Sequence, residues 1–264
     1  MFRKPKNCGR LVPVLKRLRG KLSIPISVDT YKAAVAEKAL EHGAEIVNDP
    51  SALSWDPELA RVVSNHNAGL ILNHMRGTPE TWLKMPPLKN PLPVIIQELD
   101  AAVHRATLTG LDRKRVMIDP GLGFGKRKEQ NAEILMHLDA LARMELPIMV
   151  GASRKHFLSK EDTALTEFAT AAAITVAILR GAHVVRVHDV AAMRTVADIT
   201  DEILRAEVIP TAPDSADSSA SRVVRPGSSL PGTRNERTPR PPDRKRDARP
   251  GTIPSGPLRP RSPK

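Results

Sequence analysis

The sequence predicts an α/β fold on a parallel sheet, because six short apolar runs alternate with six amphipathic helical patterns and polar residues recur directly after the runs. The runs are IPISV (24–28), AEIVN (44–48), GLILN (69–73), RVMID (115–119), PIMVG (147–151) and HVVRV (183–187). They lack the regular polar alternation of a half-exposed strand, so both faces are expected to be covered by helices. The helical patterns follow in turn: YKAAVAEKALEH, DPELARVVSNH, PVIIQELDAAVHRATLT, NAEILMHLDALARM, ALTEFATAAAITVAILRG and VAAMRTVADITDEILRA. Gly43, Gly69, Gly110 and Gly181 lie where left-handed helix caps are wanted. A further helix, LVPVLKRLRG (11–20), precedes the first run. Six such units fit a doubly wound sheet or most of a (β/α)8 barrel.

Charge divides the 264 residues into three stretches. Residues 1–21 carry eight Lys/Arg and no acid, and residues 207–264 carry twelve Lys/Arg against six Asp/Glu. Subtracting these from the net charge of +12 leaves −2 for the body, 22–206. A nearly neutral body argues against sequence-specific nucleic-acid recognition, while the basic ends suit only weak, unspecific polyanion binding. The tail, 207–264, holds half of the 24 prolines and no aromatic residue, so it is expected to be disordered. There is no apolar run long enough for a membrane helix and no signal-peptide core, and Cys8 is the lone cysteine. A cytoplasmic protein without disulfides or a cysteine-based metal site is the expectation.

The stretch VMIDPGLGFGKRKEQN (116–131) resembles a phosphate loop but has the wrong spacing. A Walker loop needs four residues between its glycines and Ser or Thr after the lysine; here Arg127 follows Lys126. Lys126 also stands where the dinucleotide fingerprint requires glycine. The expectation is that Gly121, Gly123 and Gly125 bare the backbone so that it can pass close to a flat ligand.

Polar residues cluster at the carboxyl ends of the runs: Asp29, Asn48, Asn73–Arg76, Asp119, Ser153–Lys155 and Arg186–Asp189. Each has a plain structural explanation when taken singly. Asp29 or Ser153 could cap a helix, Asn48 could satisfy a turn, and Arg186 and His188 could pair with Asp189. Six successive strands behaving alike point instead to a shared site. Two carboxylates, an amide and a lysine suit a flat heterocycle rich in N–H groups and carbonyls. Arg186, His188 and a helix N-terminus suit a phosphate or pyrophosphate.

The stretches ISVDTYKAAVAEKALEHGAEIVND, LNHMRGTPETW, VMIDPGLGFGKRKEQN, PIMVGASRKHFL and ATAAAITVAILRGAHVVRVHDV together resemble the dihydropteroate synthases, over roughly 11–205. That resemblance implies a TIM-type (β/α)8 barrel. It also implies an activity in folate biosynthesis: p-aminobenzoate is joined to a pterin pyrophosphate with loss of pyrophosphate. It implies Asp29, Asp119 and Lys155 as catalytic groups, with Asn48 holding the pterin and Met75 and Phe124 flanking it. Gly151, Ser153, Arg154 and His156 become substrate-binding candidates, and Arg186 and His188 become the pyrophosphate holders. A homodimer through barrel helices and a Mg2+ cofactor are implied as well.

Two family motifs do not occur in this sequence: N-x-T-P-D-S-F, whose Asn helps bind Mg2+, and S-T-R-P, part of the arylamine clamp. Their absence implies an N-terminally truncated chain with six of eight barrel units, binding pterin but turning over little. His156 also stands where the family usually has a small residue. Two other readings fit the same residues. One is the pterin-binding domain of a methyltetrahydrofolate corrinoid methyltransferase; the other is a non-catalytic fragment binding polyanions through its ends. The SRK and RVHD stretches favour the synthase over the methyltransferase, whose methyl donor carries no pyrophosphate to hold.

Overall fold

Six parallel strands form the scaffold of the computed structural model, which describes residues 8–159 and 161–206. The expectations for the tail at 207–264, and for the first seven residues of the basic segment, lie outside the described residues. Helix α1 (Cys8–Leu18) comes first and places Leu15 in the core. Then strands and helices alternate: β1 (Ser27–Asp29), α2 (Ala33–Glu41), β2 (Ile46–Asp49), α3 (Glu58–Asn65), β3 (Gly69–Asn73), α4 (Pro91–Leu108), β4 (Val116–Asp119), α5 (Lys128–Met136), β5 (Met149–Val150), α6 (Thr163–Leu179), β6 (Val184–Val185) and α7 (Val190–Arg205).

The first four strands pair in sequence order, and β5 pairs with β6. A bridge between Ile118 and Ile148, with the Ile118 N–H donating to Pro147 O at 3.0 Å, joins the two sets. Leu70, Ile71 and Leu72 are consecutive and all buried, so both faces of β3 are covered. Register sets Asp29 opposite Asn48 and Asn73 opposite Asp119 at the carboxyl ends.

One contact decides between an open sheet and a barrel. Arg186, just after β6, forms an ion pair with Asp29 at the end of β1. In a flat six-stranded sheet these edges would stand roughly 24 Å apart, five strand spacings, beyond the reach of an arginine. The sheet therefore curls so that its first and last strands approach, the geometry of a (β/α)8-type barrel.

Some elements differ from expectation. Gly43, Gly110 and Gly181 have the positive φ of left-handed caps, at 101°, 89° and 93°, but Gly69 opens β3, and Asn67, at φ 53°, makes the turn after α3. The helical pattern from Asn131 onward breaks at His137 into α5 and a 3₁₀ segment, Leu138–Met144. Leu138, Leu141 and Met144 are all buried, and at three residues per turn their spacing of three stacks them directly above one another. Strand β6 shrinks to two residues, with Val184 40% exposed and no described strand on its outer side.

Candidate active site

Asp29 does not cap a helix. The first turn of α2 takes its acceptor from Asp56, whose Oδ2 receives the Ala33 N–H at 2.8 Å. Asp29 instead accepts from Asn48 Nδ2 at 2.9 Å and pairs with Arg186. A carboxylate can only accept, so the Asn48 amide must turn its nitrogen toward Asp29. Its Oδ1 is then left buried with no partner among the described residues. Such an orphan acceptor costs about 1–3 kcal/mol until an N–H donor arrives.

Asp119 ends β4, 4% exposed, and its Oδ1 accepts the Gly121 N–H at 2.7 Å. Burial pushes its carboxyl up to about 6, although that N–H and the charges of Lys126, Lys155 and Arg186 pull the other way. Gly151, after β5, keeps this space open: a Cβ there would lie 3.8 Å from Asp119 Oδ2 and 4.0 Å from Arg186 Cβ. Lys155 reaches the same region, with Nζ 3.8 Å from the centre of the Phe124 ring. Burial lowers the Lys155 ammonium, with Asp119 and Asp29 opposing that shift and Arg186 adding to it. Phe124 stands edge-on to Trp82, centroids 5.5 Å apart, so the wall it offers is itself braced.

The glycines have a reason within the fold itself. Gly121, Gly123 and Gly125 all have positive φ, between 68° and 78°. A Cβ on Gly121 would lie 1.8 Å from His74 O, and one on Gly125 would lie 2.5 Å from Arg76 O. At 121 and 125 the loop is bare because it packs against the backbone that follows β3, whereas a Cβ on Gly123 would lie 3.1 Å from Lys155 Cδ. Lys126 belongs to this packing and was missed by sequence reasoning. Its Nζ donates to Gly121 O at 2.7 Å, His74 O at 3.1 Å and Phe124 O at 3.3 Å. The signal for it in the sequence is its place directly after the glycine stretch.

Ser153 is not a helix cap. Its hydroxyl meets His188 Nδ1 at 2.9 Å and accepts the His188 N–H at 3.2 Å, fixing the ring after β6. Asp189 caps α7 through the Ala192 N–H at 3.0 Å, while Arg186 pairs with Asp29. The structure thus brings Asp29, Asn48, Asp119, Phe124, Gly151, Lys155 and Arg186 together at the strand ends, with Ser153 and His188 beside them. Three candidates make their described contacts elsewhere. Arg154, at φ 54°, pairs with Glu167 on α6. His156 is exposed at the start of a short 3₁₀ turn. Met75 borders a cavity of about 220 Å³ with His74 and Glu98, whose side chains bond at 2.9 Å.

Among the described residues no group of three His, Cys, Asp or Glu side chains could hold a metal ion. The described residues therefore offer no all-protein cage for Mg2+. No described helix is long and apolar enough to cross a membrane.

Residues 1–188 match the family described as pterin binding enzyme. The chain is 38% identical over 200 residues to the dihydropteroate synthase of Synechocystis sp., spanning 74% of this chain and 69% of the relative. Against that of Bacillus subtilis it is 35% identical over 199 residues, spanning 74% and 67%. The fold is similar to the dihydropteroate synthase of Clostridium difficile crystallised in the presence of pteroic acid, with a TM-score of 0.72, 33% identity and coverage of 78% and 77%. It is also similar to that of Xanthomonas albilineans in complex with 7,8-dihydropteroate, with a TM-score of 0.69, 30% identity and coverage of 75% and 74%.

Proposed function

This chain belongs to the pterin binding enzyme family, and on that premise we propose that its strand-end cluster serves the dihydropteroate synthase reaction of folate biosynthesis. The single observation that carries the reading is the buried, partnerless Asn48 Oδ1 beside Asp29. A reduced pterin supplies the missing donor, since its pyrimidine edge carries adjacent N–H groups and a carbonyl.

In this reading Asn48 Oδ1 and the two carboxylates accept from the ring, and Lys155 leaves the face of Phe124 to donate to it. The C–O bond from the pterin's methylene carbon to pyrophosphate breaks, the arylamine nitrogen of p-aminobenzoate bonds to that carbon, and a proton leaves the nitrogen. Asp29 and Asp119 stabilise positive charge developing on the ring, while Arg186 and His188 stabilise negative charge on the departing pyrophosphate. These interactions strengthen as the bond breaks, so they lower the barrier and do not merely bind substrate.

Calorimetry with pterin pyrophosphate tests the pocket; a folded sample that gives no heat would refute it. Arg186→Met is expected to weaken pterin pyrophosphate by about 1.5–3 kcal/mol, the worth of charge-assisted hydrogen bonds, which is roughly ten- to a hundredfold. Hydroxymethylpterin, which has no pyrophosphate, should lose less than threefold in the same variant, and equal losses for the two would unseat Arg186 from its role.

Binding should also depend on pH with a definite sign. Asp119 must be ionised to accept ring N–H groups, and its carboxyl titrates at about 6. Through this group, affinity falls about tenfold for each unit below that pH, because one proton must be displaced, and Asp119 adds no further dependence above it. A flat titration from pH 7 to 5 would contradict this.

A homodimer fits the surface. Leu165 and Phe168 on α6, and Ile199 and Ile203 on α7, are each more than half exposed, an apolar face shared by two helices that pack together. Phe168→Glu is expected to turn a dimer into a monomer in sedimentation experiments, with pterin binding retained. A mass unchanged by the substitution would place the interface elsewhere. The lone cysteine suits work in a reducing cytoplasm.

A further inference from the structure

We infer that Lys126 is a positioning residue: its ammonium staples the glycine loop to the end of β3 and so fixes Asp119 and Phe124 in the pocket. This rests on the pterin reading above for the pocket's purpose, but the staple itself stands on geometry alone. An ammonium has three N–H donors, and Lys126 has three carbonyl acceptors, from Gly121, His74 and Phe124. None of the three N–H groups is left over for a phosphate, which explains why a lysine after three spaced glycines here does not make a phosphate loop.

The loop needs such a device. Gly121, Gly123 and Gly125 have no side chains with which to anchor it, and the three carbonyls that converge on Lys126 would repel one another without a cation between them. Each contact lies on a functional neighbour. Gly121 gives its N–H to Asp119 Oδ1, so holding the Gly121 carbonyl orients the peptide that holds the carboxylate. Phe124 carries the wall on which Lys155 rests. His74 is tied through its ring to Glu98 on α4, which gives the staple a fixed far end. Asn131 supports the loop from α5, accepting the Gly123 N–H at 2.8 Å and donating to Lys126 O at 3.2 Å.

The charges facing Lys126 are mixed: Asp119 and Glu98 favour the ammonium, while Arg76 and Lys155 oppose it. Burial draws it down to about 7, so it stands closer to losing its proton than an exposed lysine does. A neutral amine is a weaker donor, and the loop should loosen as the pH rises past that point.

The test uses the full chain in a Cys8→Ser background, since Cys8 is the only native cysteine. Lys126→Met should raise amide hydrogen exchange over residues 120–126 at least tenfold at pH 7, leave α6 unchanged, and weaken pterin pyrophosphate at least tenfold. Lys126→Cys should behave likewise, and alkylating it with bromoethylamine, which restores an ammonium at nearly the same reach, should return both readings to within about threefold. Unchanged loop exchange in folded Lys126→Met would overturn the staple. Faster exchange with unchanged affinity would overturn its positioning role, and so would failure of the alkylated protein to recover. If the unsubstituted chain bound no pterin pyrophosphate, the proposed function would fall, while the exchange comparison, which needs no ligand, would still decide the staple.

Discussion

Asp119→Asn is expected to weaken pterin pyrophosphate by about a hundredfold while leaving the protein folded. The substitution keeps the shape and removes the charge. One oxygen must still accept the Gly121 N–H, as Asp119 Oδ1 does at 2.7 Å. That leaves an NH2 group facing a ligand edge that itself donates, so two donors confront each other. Losing a charge-assisted hydrogen bond, at about 1.5–3 kcal/mol, and adding an unpaired donor, at about 1 kcal/mol or more, gives roughly 3 kcal/mol. That is about two decades in affinity.

Stability should move the other way. The Asp119 carboxyl is raised from 3.8 to about 6 in the fold, so its ionisation opposes folding. That opposition is absent below the lower value, grows between the two, and is fully present above the higher one. At pH 7 the amide relieves it, and the melting temperature of Asp119→Asn should equal or exceed that of the parent. A variant that binds within threefold of the parent, or that melts well below it, would make Asp119 a structural residue.

Gly121→Ala should be the most destabilising change in the glycine loop. The φ of 69° costs an alanine about 1–2 kcal/mol, and a Cβ placed 1.8 Å from His74 O cannot be accommodated without moving backbone. Overpacking of this kind adds about 1–3 kcal/mol. The sum, about 3 kcal/mol or more, lowers the melting temperature by roughly 6–12 °C in a domain of this size. Gly123→Ala is the matched control: its Cβ would meet only the flexible stem of Lys155, at 3.1 Å. Thermal melts of the two side by side should therefore separate by several degrees, and equal losses would mean that positive φ alone, without the clash, sets the cost.

The strands were readable because burial on both faces leaves apolar runs, and their ends were readable because Asp29, Asn48 and Asp119 interrupt those runs. What escaped were features decided by residues far away in the chain. The capping of α2 by Asp56 frees Asp29, and nothing near Asp29 announces it. The need for glycine at 121 lies in the carbonyl of His74, on another strand's end. Closure of the sheet is visible only in a contact between Asp29 and Arg186, 157 positions apart, so periodicity alone leaves an open sheet and a barrel equally acceptable. Lys126 is visible in the sequence, but the three carbonyls it serves come together only in the fold.

The ion pair between Asp29 and Arg186 joins the two groups that the proposed function assigns to opposite halves of the substrate. In the proposed reading, the guanidinium on Asp29 stands where the N–H-rich edge of a pterin would bind, and the carboxylate on Arg186 stands where a phosphate would. With the side chains 50% and 51% exposed, the pair is worth about 1 kcal/mol or less, so parting it is easy. On that reading, a molecule carrying only one of the two halves would strand one member of the pair, whereas the intact diphosphate ester would satisfy both, a bias against fragments of the substrate.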